Sequence, residues 1–143
     1  MKTRSIKKDE VDLKWYIVDA KGIRLGKLAT TVASMLQGKG KVKKTTNMAN
    51  GDAVIVINSK LIDVFPKKLK QKIYYRHSGF IGGLKKRNLE EMLERFPNRV
   101  IEKAVRGMLP KNKLGDSFYR NLHVVEDTQH KYEAQKPIKL EVK

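Results

Sequence analysis

The stretch Ala53-Val54-Ile55-Val56-Ile57 decides the fold class, because its five apolar residues directly follow the turn-forming run Asn50-Gly51-Asp52. Branching at Cβ favours extended backbone, and all but the first of the five residues are β-branched. A strand that is apolar on both faces is typical of a parallel sheet covered by helices. The stretch therefore predicts a buried strand of an α/β domain.

The residues before this strand predict a βαβ unit. Trp15-Tyr16-Ile17-Val18 is a second buried strand, and the turn residues 19–22 close it. From Leu25 the apolar residues recur at helical spacing, and Gly38 is placed to end that helix in a left-handed conformation. The apolar stripe of the helix consists of Leu25, Leu28, Ala29, Val32 and Leu36. Strand, helix and strand together predict parallel pairing with a right-handed crossover.

The residues after the central strand predict two further strands, near 73–76 and 122–125, with helices between them. One helix begins after Asn88, with Glu91 in position for a capping box. The next begins near Pro97, a short one covers about 116–121, and residues 61–64 form a helical turn before Pro66. The predicted buried residues of the two longer helices are Leu89, Met92, Leu93, Phe96, Val100, Ile101, Ala104, Val105 and Met108.

A length of 143 residues predicts a single domain. We expect its core to span about residues 13–126, between an N-terminal tail (1–12) and a polar, mostly irregular C-terminal arm (127–143). The absence of cysteine excludes disulfides and thiolate metal sites and is consistent with a cytosolic protein. The first residues lack the apolar segment of a secretory signal.

The charge of the chain predicts a polyanionic partner. Lysine and arginine total 32 against 15 acidic residues, which gives a net charge of +17. Self-repulsion of this size disfavours a compact state unless an anion neutralises it. An anionic membrane is the weaker candidate, because no run approaches the ~20 apolar residues of a membrane span. Nucleic acid is therefore the predicted partner.

Enzymatic function finds little support in the sequence. The run from Gly22 to Lys27 lies between a strand and a helix, like a phosphate-binding loop, but only three residues separate its two glycines. The phosphate-binding motif has four residues between its glycines, and Leu28 occupies the position of the Ser or Thr that binds magnesium. The three histidines show no metal-ligand spacing. We predict no catalytic residues, no metal, no cofactor and no small-molecule substrate, with a nucleotide-dependent α/β enzyme as a remote alternative.

The segment from Ile73 to Arg87 combines aromatic rings, glycines and cations. No carboxylate occurs between Asp63 and Glu90. Glycines let the backbone approach a bulky partner, and the rings and guanidinium groups offer flat faces and donors. The segment is predicted to contact a polyanion; the alternative is a solvated basic loop.

Several separated motifs resemble one known family. They are Trp15-Tyr16-Ile17-Val18-Asp19-Ala20, Leu25-Gly26-Lys27-Leu28-Ala29, Gly51-Asp52, Tyr74-Tyr75-Arg76-His77-Ser78-Gly79 and Lys103-Ala104-Val105-Arg106-Gly107-Met108-Leu109-Pro110-Lys111-Asn112-Lys113-Leu114-Gly115. In this order they resemble the bacterial-type ribosomal protein thirteen of the large subunit, over about residues 15–140. The resemblance implies a three-layer α/β/α domain with a four-stranded parallel sheet in the order 3-2-1-4.

The resemblance also implies a function. Members of the family bind large-subunit ribosomal RNA directly, lie beside other ribosomal proteins and join the particle early, without a reaction or a cofactor. The expected location is the large ribosomal subunit in the cytoplasm, or in an organelle. A free RNA-binding regulator that acts outside the ribosome is the alternative.

Side-chain chemistry then suggests the RNA-binding residues. Lysines act as flexible point charges for phosphates. The lysines predicted to do so are Lys39, Lys41, Lys43, Lys44, Lys67, Lys68, Lys70 and Lys72. The central segment contributes Tyr75, Arg76, His77, Ser78, Phe80, Lys85, Lys86 and Arg87, which suit a pocket or an unstacked base. The last region, which the resemblance places against RNA, contains Arg106, Lys111, Lys113 and Arg120.

Three apolar or aromatic side chains in these regions allow a second interpretation. Tyr75 and Phe80 could be core residues or anchors of the loop instead of RNA contacts. Leu109, inside the last region, is expected to belong to the core.

Overall fold

The computed structural model describes residue 7 and residues 10–142, so most of the predicted N-terminal tail and residue 143 lie outside the described residues. The strands are β1 (Trp15–Asp19), β2 (Ala53–Ile57), β3 (Ile73–His77), β4 (Leu84–Asn88), β5 (Leu122–Val124) and β6 (Ile138–Leu140). The helices are α1 (Leu25–Leu36), α2 (Pro66–Gln71), α3 (Leu89–Arg95), α4 (Pro97–Met108) and α5 (Lys113–Arg120).

The described residues form a four-stranded, all-parallel sheet in the order β5-β2-β1-β6. Numbered along the chain within this sheet, the order is 3-2-1-4. The predicted α/β fold class is therefore confirmed. The βαβ prediction is also confirmed, because β1, α1 and β2 follow one another and the two strands pair in parallel.

Two strands of the sheet differ from the prediction. The strand predicted at 73–76 is β3, which pairs antiparallel with β4 in a separate hairpin. The outer neighbour of β1 is β6, from the arm predicted to be mostly irregular. β3 mixes rings and charges and stays largely exposed, whereas central parallel strands require continuous apolar residues. β6 is only three residues long, too short for its pattern to be recognised in the sequence.

Local structure differs from the prediction in two further places. The lysines predicted to lead into a strand do precede β3, and three of them, Lys67, Lys68 and Lys70, lie in α2, whose first position is Pro66, where the fixed φ of proline suits a helix. The helical turn expected at 61–64 lies earlier, as a 3₁₀ turn over Ser59–Leu61. Asn88 precedes α3 as predicted, but its side chain makes no capping hydrogen bond.

The main core lies between one face of the sheet and helices α1 and α4. Val18, Val54 and Val56 are fully buried against the predicted stripe of α1, together with Ile101 and Val105 of α4. Gly51 packs so closely on the end of α1 that a Cβ atom there would lie 1.7 Å from the Leu36 carbonyl oxygen. The start of β2 is therefore tied to the end of α1.

A second, smaller core joins the hairpin to the domain. Leu89 and Met92 of α3 and Val100 of α4 are buried together. Tyr74 of β3 and Leu69 of α2 pack against them. The hairpin is therefore held by its Tyr74 face, while most of its other side chains remain exposed.

The other face of the sheet carries a stack of aromatic rings. The rings of Trp15 and His123 lie 5.4 Å apart at 6° to each other, and Tyr132 of the C-terminal arm stacks on Trp15 at 5.5 Å. The Tyr132 hydroxyl and the His123 Nδ1 atom are hydrogen-bonded at 3.0 Å. This stack and the pairing of β6 hold the arm against the sheet.

Candidate nucleic-acid interface

The β3–β4 hairpin presents two different faces. Tyr74 lies opposite Arg87 and Arg76 lies opposite Lys85, and these four side chains share the face that turns toward α4. Like charges directly opposite each other on a sheet are destabilising. The pairing of Arg76 with Lys85 therefore concentrates positive charge at a cost to the hairpin itself.

A turn with a defined conformation connects the two strands. Gly79 and Gly82 have φ values of 93° and 74°, a region that L side chains rarely adopt. The Gly79 amide donates to the His77 Nδ1 atom at 2.9 Å, and the Ser78 amide donates to the Gly83 carbonyl at 3.2 Å. The predicted site residues His77 and Ser78 thus also shape the turn.

Helix α4 faces the hairpin with a second row of cations. Arg99, Lys103 and Arg106 follow one another at helical spacing and line the same cleft as Arg76 and Lys85. The volume of the cleft is about 800 Å³, and Glu102 is its acidic lining residue. The structure thus brings part of the central segment together with Arg106 of the last basic region in one site, here called the cationic cleft.

Aromatic rings form part of the cleft wall. The Lys103 Nζ atom lies 4.9 Å from the centre of the Tyr74 ring, and burial raises the pKa of Tyr74. The Arg106 guanidinium lies 5.3 Å from the Tyr119 ring. Burial raises the pKa of Tyr119, and the charge of Glu102 raises it further. Each of these cations lies over the face of a ring, whose quadrupole attracts it.

Few of these cations have acidic partners. Arg87 lies 3.8 Å from Glu91, and Arg106 lies 3.5 Å from Asp116. Within the described part of the chain, Arg76, Lys85, Arg99 and Lys103 form no ion pair. The cleft therefore holds a surplus of positive charge that an anionic ligand would neutralise.

A groove adjoins the cleft on the other side of Tyr74 and Lys103. Its volume is about 910 Å³, and it runs between the start of α1, helix α2 and the end of α4. Lys68 and Lys72 line it, together with the exposed ring of Phe65. The Arg24 guanidinium lies 4.4 Å from the centre of that ring. Two of the four predicted lysines near α2 thus extend the basic surface of the cleft.

Two lysines of the 39–44 loop, Lys41 and Lys43, line another depression together with Asp52. Lys41 forms an ion pair with Asp52 and donates to the Asp12 carbonyl at 2.6 Å. Its charge is therefore compensated within the chain. Lys39, Lys43 and Lys44 are exposed. That the loop is mobile in the free protein remains a prediction.

The exposed fractions decide whether these side chains belong to the core. Tyr75 is 58% exposed and Phe80 is 79% exposed, so neither is a core residue. Leu109 is 5% exposed and belongs to the main core, as expected. Met108 was predicted to be buried, but it is 43% exposed beside the groove. Outside the cleft, the groove and the 39–44 loop, the exposed predicted cations are Lys67, Lys70, Lys86, Lys111, Lys113 and Arg120.

Sequence reasoning missed Arg99 and Lys103 as candidate site residues. Both lie on α4, and the sequence prediction for this helix concerned only its apolar, buried side. The available signal was the spacing of Arg99, Lys103 and Arg106, which puts three cations on one side of a helix. Only the position of the hairpin shows that this side faces Arg76.

The described residues contain no group of three or more His, Asp or Glu side chains that could hold a metal ion. No described helix has the length and apolar character that crossing a membrane requires.

The fold and this surface define a class of protein, a basic α/β domain with a parallel sheet and a cationic cleft. Comparison with known proteins narrows the class. A family model described as Ribosomal protein L13 matches residues 13–131, and the chain belongs to that family. The resemblance noted in the sequence is therefore confirmed.

Three bacterial relatives carry the name Large ribosomal subunit protein uL13. The protein of Psychromonas ingrahamii is 49% identical over 142 residues, which cover 99% of this chain and all of the relative. That of Hamiltonella defensa is 50% identical over 96% of both chains, and that of Agathobacter rectalis is 50% identical over 99% of both. Relatives named as ribosomal subunit proteins confirm the prediction that the chain is not an enzyme.

Proposed function

We propose that this chain is a structural component of the large ribosomal subunit that binds large-subunit ribosomal RNA directly. Family membership supports the location, and the cationic cleft is the observation that supports direct RNA binding. In the cleft, Arg76 and Lys85 of the hairpin face Arg99 and Lys103 of α4. A net charge of +17 adds a general attraction to RNA.

The side chains of this surface match the chemistry that RNA exposes. In A-form helices the major groove is deep and narrow, so proteins contact phosphates, 2′-hydroxyls and unstacked bases. Lysines such as Lys68 and Lys72 neutralise phosphates, and arginines such as Arg76 fork onto phosphates or stack on bases. The exposed ring of Tyr75 adds a surface for stacking.

The proposal includes an early role in subunit assembly, with other large-subunit proteins as neighbours, in the cytoplasm. Binding that neutralises many phosphates does not require a finished particle. A protein that binds RNA by itself can therefore join before its neighbours. A regulator acting only outside the ribosome is the competing proposal.

Two measurements test this function. The first is binding of the purified protein to large-subunit RNA and to an equal mass of small-subunit RNA over a range of salt. We expect tighter binding to the large-subunit RNA at every salt concentration. The second is sedimentation of a cell extract, in which the protein should remain with salt-washed large subunits. Equal binding to both RNAs would contradict direct recognition, and recovery only from the soluble fraction would favour the regulator.

A further inference from the structure

We infer that the cationic cleft holds an unpaired strand of RNA, with its backbone between the hairpin and α4, and does not hold the surface of a duplex. This inference rests on the proposed RNA-binding function and specifies the form of RNA that the site accepts.

The first argument is the arrangement of the charges. Arg76 and Lys85 belong to one wall of the cleft, whereas Arg99 and Lys103 belong to the other. A duplex lying on a protein meets cations from one side. A single backbone that enters the cleft meets cations from both sides and can neutralise both walls at once.

The second argument is the size of the cleft. A volume of about 800 Å³ lies within the range of roughly 300–1,000 Å³ for sites that enclose small ligands. Such a space accommodates a nucleotide or two. It does not accommodate two backbones with paired bases between them, so a duplex would contact only the rims.

The third argument is the presence of rings beside the charges. Tyr74 lines the cleft from the hairpin, and Tyr119 lines it from α5. The Arg106 guanidinium lies 5.3 Å from the Tyr119 ring, so a cation and a ring occur side by side in the cleft. Bases stack on such rings only when they are unpaired, and grooves for single strands combine cations with stacking rings.

The fourth argument is the repulsion within the site. Arg76 and Lys85 lie directly opposite each other on β3 and β4, and like charges at such positions are unfavourable. The repulsion is relieved when a phosphate lies between the walls. Binding of an anion would therefore remove an unfavourable interaction from the hairpin, as expected of a site for an anionic ligand.

The inference is tested with two synthetic probes. One is a single-stranded oligouridylate of about 12 nucleotides, within the range of known single-strand site sizes. The other is an RNA duplex of the same length. Although the duplex carries more phosphates, we expect the oligouridylate to bind more tightly at the same salt concentration. A duplex that binds as tightly as the oligouridylate, or more tightly, would overturn the inference.

Two double variants locate the binding. Arg99→Gln with Lys103→Gln removes two charges from the cleft, and Lys21→Gln with Lys139→Gln removes two exposed charges outside it. The quantity measured is the salt slope, the steepness with which the logarithm of the binding constant falls as the logarithm of the salt concentration rises. For the oligouridylate, the cleft variant should lower this slope by about 1.4, since each lost phosphate contact in a single strand changes it by ~0.7. The control should leave the slope almost unchanged. Equal effects of the two variants would contradict the inference.

Tyr119→Leu separates stacking from charge. It keeps every cation, so the salt slope should stay the same while oligouridylate affinity falls. The unfolding midpoint of each variant checks that the fold is intact.

If the protein binds no large-subunit RNA at all, the proposed function itself fails. If it binds that RNA but the oligouridylate has no advantage over the duplex, only the inference about the cleft fails.

Discussion

The ammonium group of Lys103 lies 4.9 Å from the centre of the Tyr74 ring, and this contact connects α4 to the β3–β4 hairpin. The same two residues line both the cationic cleft and the adjoining groove. Tyr74 also packs against the second core, whereas its neighbour Tyr75 is exposed. The position of the hairpin therefore depends on one side of β3.

We predict that Tyr74→Ala lowers the free energy of unfolding by about 2 kcal/mol, less than the cost of truncating a fully buried aromatic ring. Tyr75→Ala, one residue away, should change it by less than about 0.5 kcal/mol, as surface substitutions do. Urea unfolding of both variants measures the difference. Similar losses for the two would show that the hairpin is not attached through Tyr74.

A second prediction concerns the end of α4, where a buried and an exposed side chain are adjacent. Leu109→Ala should lower the free energy of unfolding by roughly 2–5 kcal/mol, because Leu109 fills the main core. Met108→Ala is the matched control, and its effect should be small because that side chain is 43% exposed. The measurement is thermal unfolding of the free protein. A melting temperature for Leu109→Ala equal to that of the parent would contradict the core assignment.

The third prediction is a loss of stability in mild acid. Burial lowers the pKa of His123 below its ordinary value of 6.5. As the pH falls through 6.5, the unfolded chain binds a proton that the folded chain does not yet accept, so the free energy of unfolding decreases. The decrease continues until the pH reaches the lower pKa of the folded state. Above pH 6.5 the contribution is fully present.

His123→Phe is the variant that tests this assignment. It keeps a ring against Trp15 but removes the titrating group, so the dependence of stability on pH between about 8 and 5.5 should become weaker. Parallel pH profiles for the parent and His123→Phe would exclude His123 as the source.

The fourth prediction separates the charge of Arg76 from its shape. Arg76→Lys keeps the charge, so the salt slope of RNA binding should stay constant while affinity falls through loss of the planar fork. Arg76→Ala should also lower the slope by roughly 0.7–0.9. Lys68→Ala should lower the slope to a similar extent with a modest loss of affinity. If Arg76→Lys binds large-subunit RNA as well as the parent does, Arg76 acts only as a point charge.

The parts of the fold that follow local rules could be predicted from the sequence. The apolar run of β2 and the stripe of α1 are continuous signals, and both appear where they were expected. The spacing of residues 89–108 likewise indicated two helices. These signals are strong because burial requires a whole face of each element to be apolar.

The partners of the strands could not be predicted from local pattern. Ile73–His77 is extended, as expected, but extension alone does not specify whether a strand joins the parallel sheet or forms a hairpin. The edge strand β6 has only three residues and depends on β1 for its hydrogen bonds. Pairing of this kind is decided by tertiary contacts.

For the candidate site, too, some features could be predicted from the sequence and others depend on tertiary contacts. The basic side chains could be recognised as a class from charge alone, and several of the predicted hairpin residues lie together along the cleft. That Lys41 would be compensated by Asp52, and that Arg99 and Lys103 would face the hairpin, depends on how distant segments pack. No spacing within the sequence encodes those distances.

The position of β6 beside β1 has a consequence for synthesis of the protein. Chains fold from the N-terminus as they emerge, so β1 is available long before its outer neighbour exists. Until β6 arrives, the nascent sheet ends at β1 with unpaired backbone groups, the kind of edge that recruits strands from other chains. Of the strands in the described sheet, β6 is the last to be synthesised, and the interval before it pairs with β1 is the period in which the nascent sheet is most exposed to mispairing.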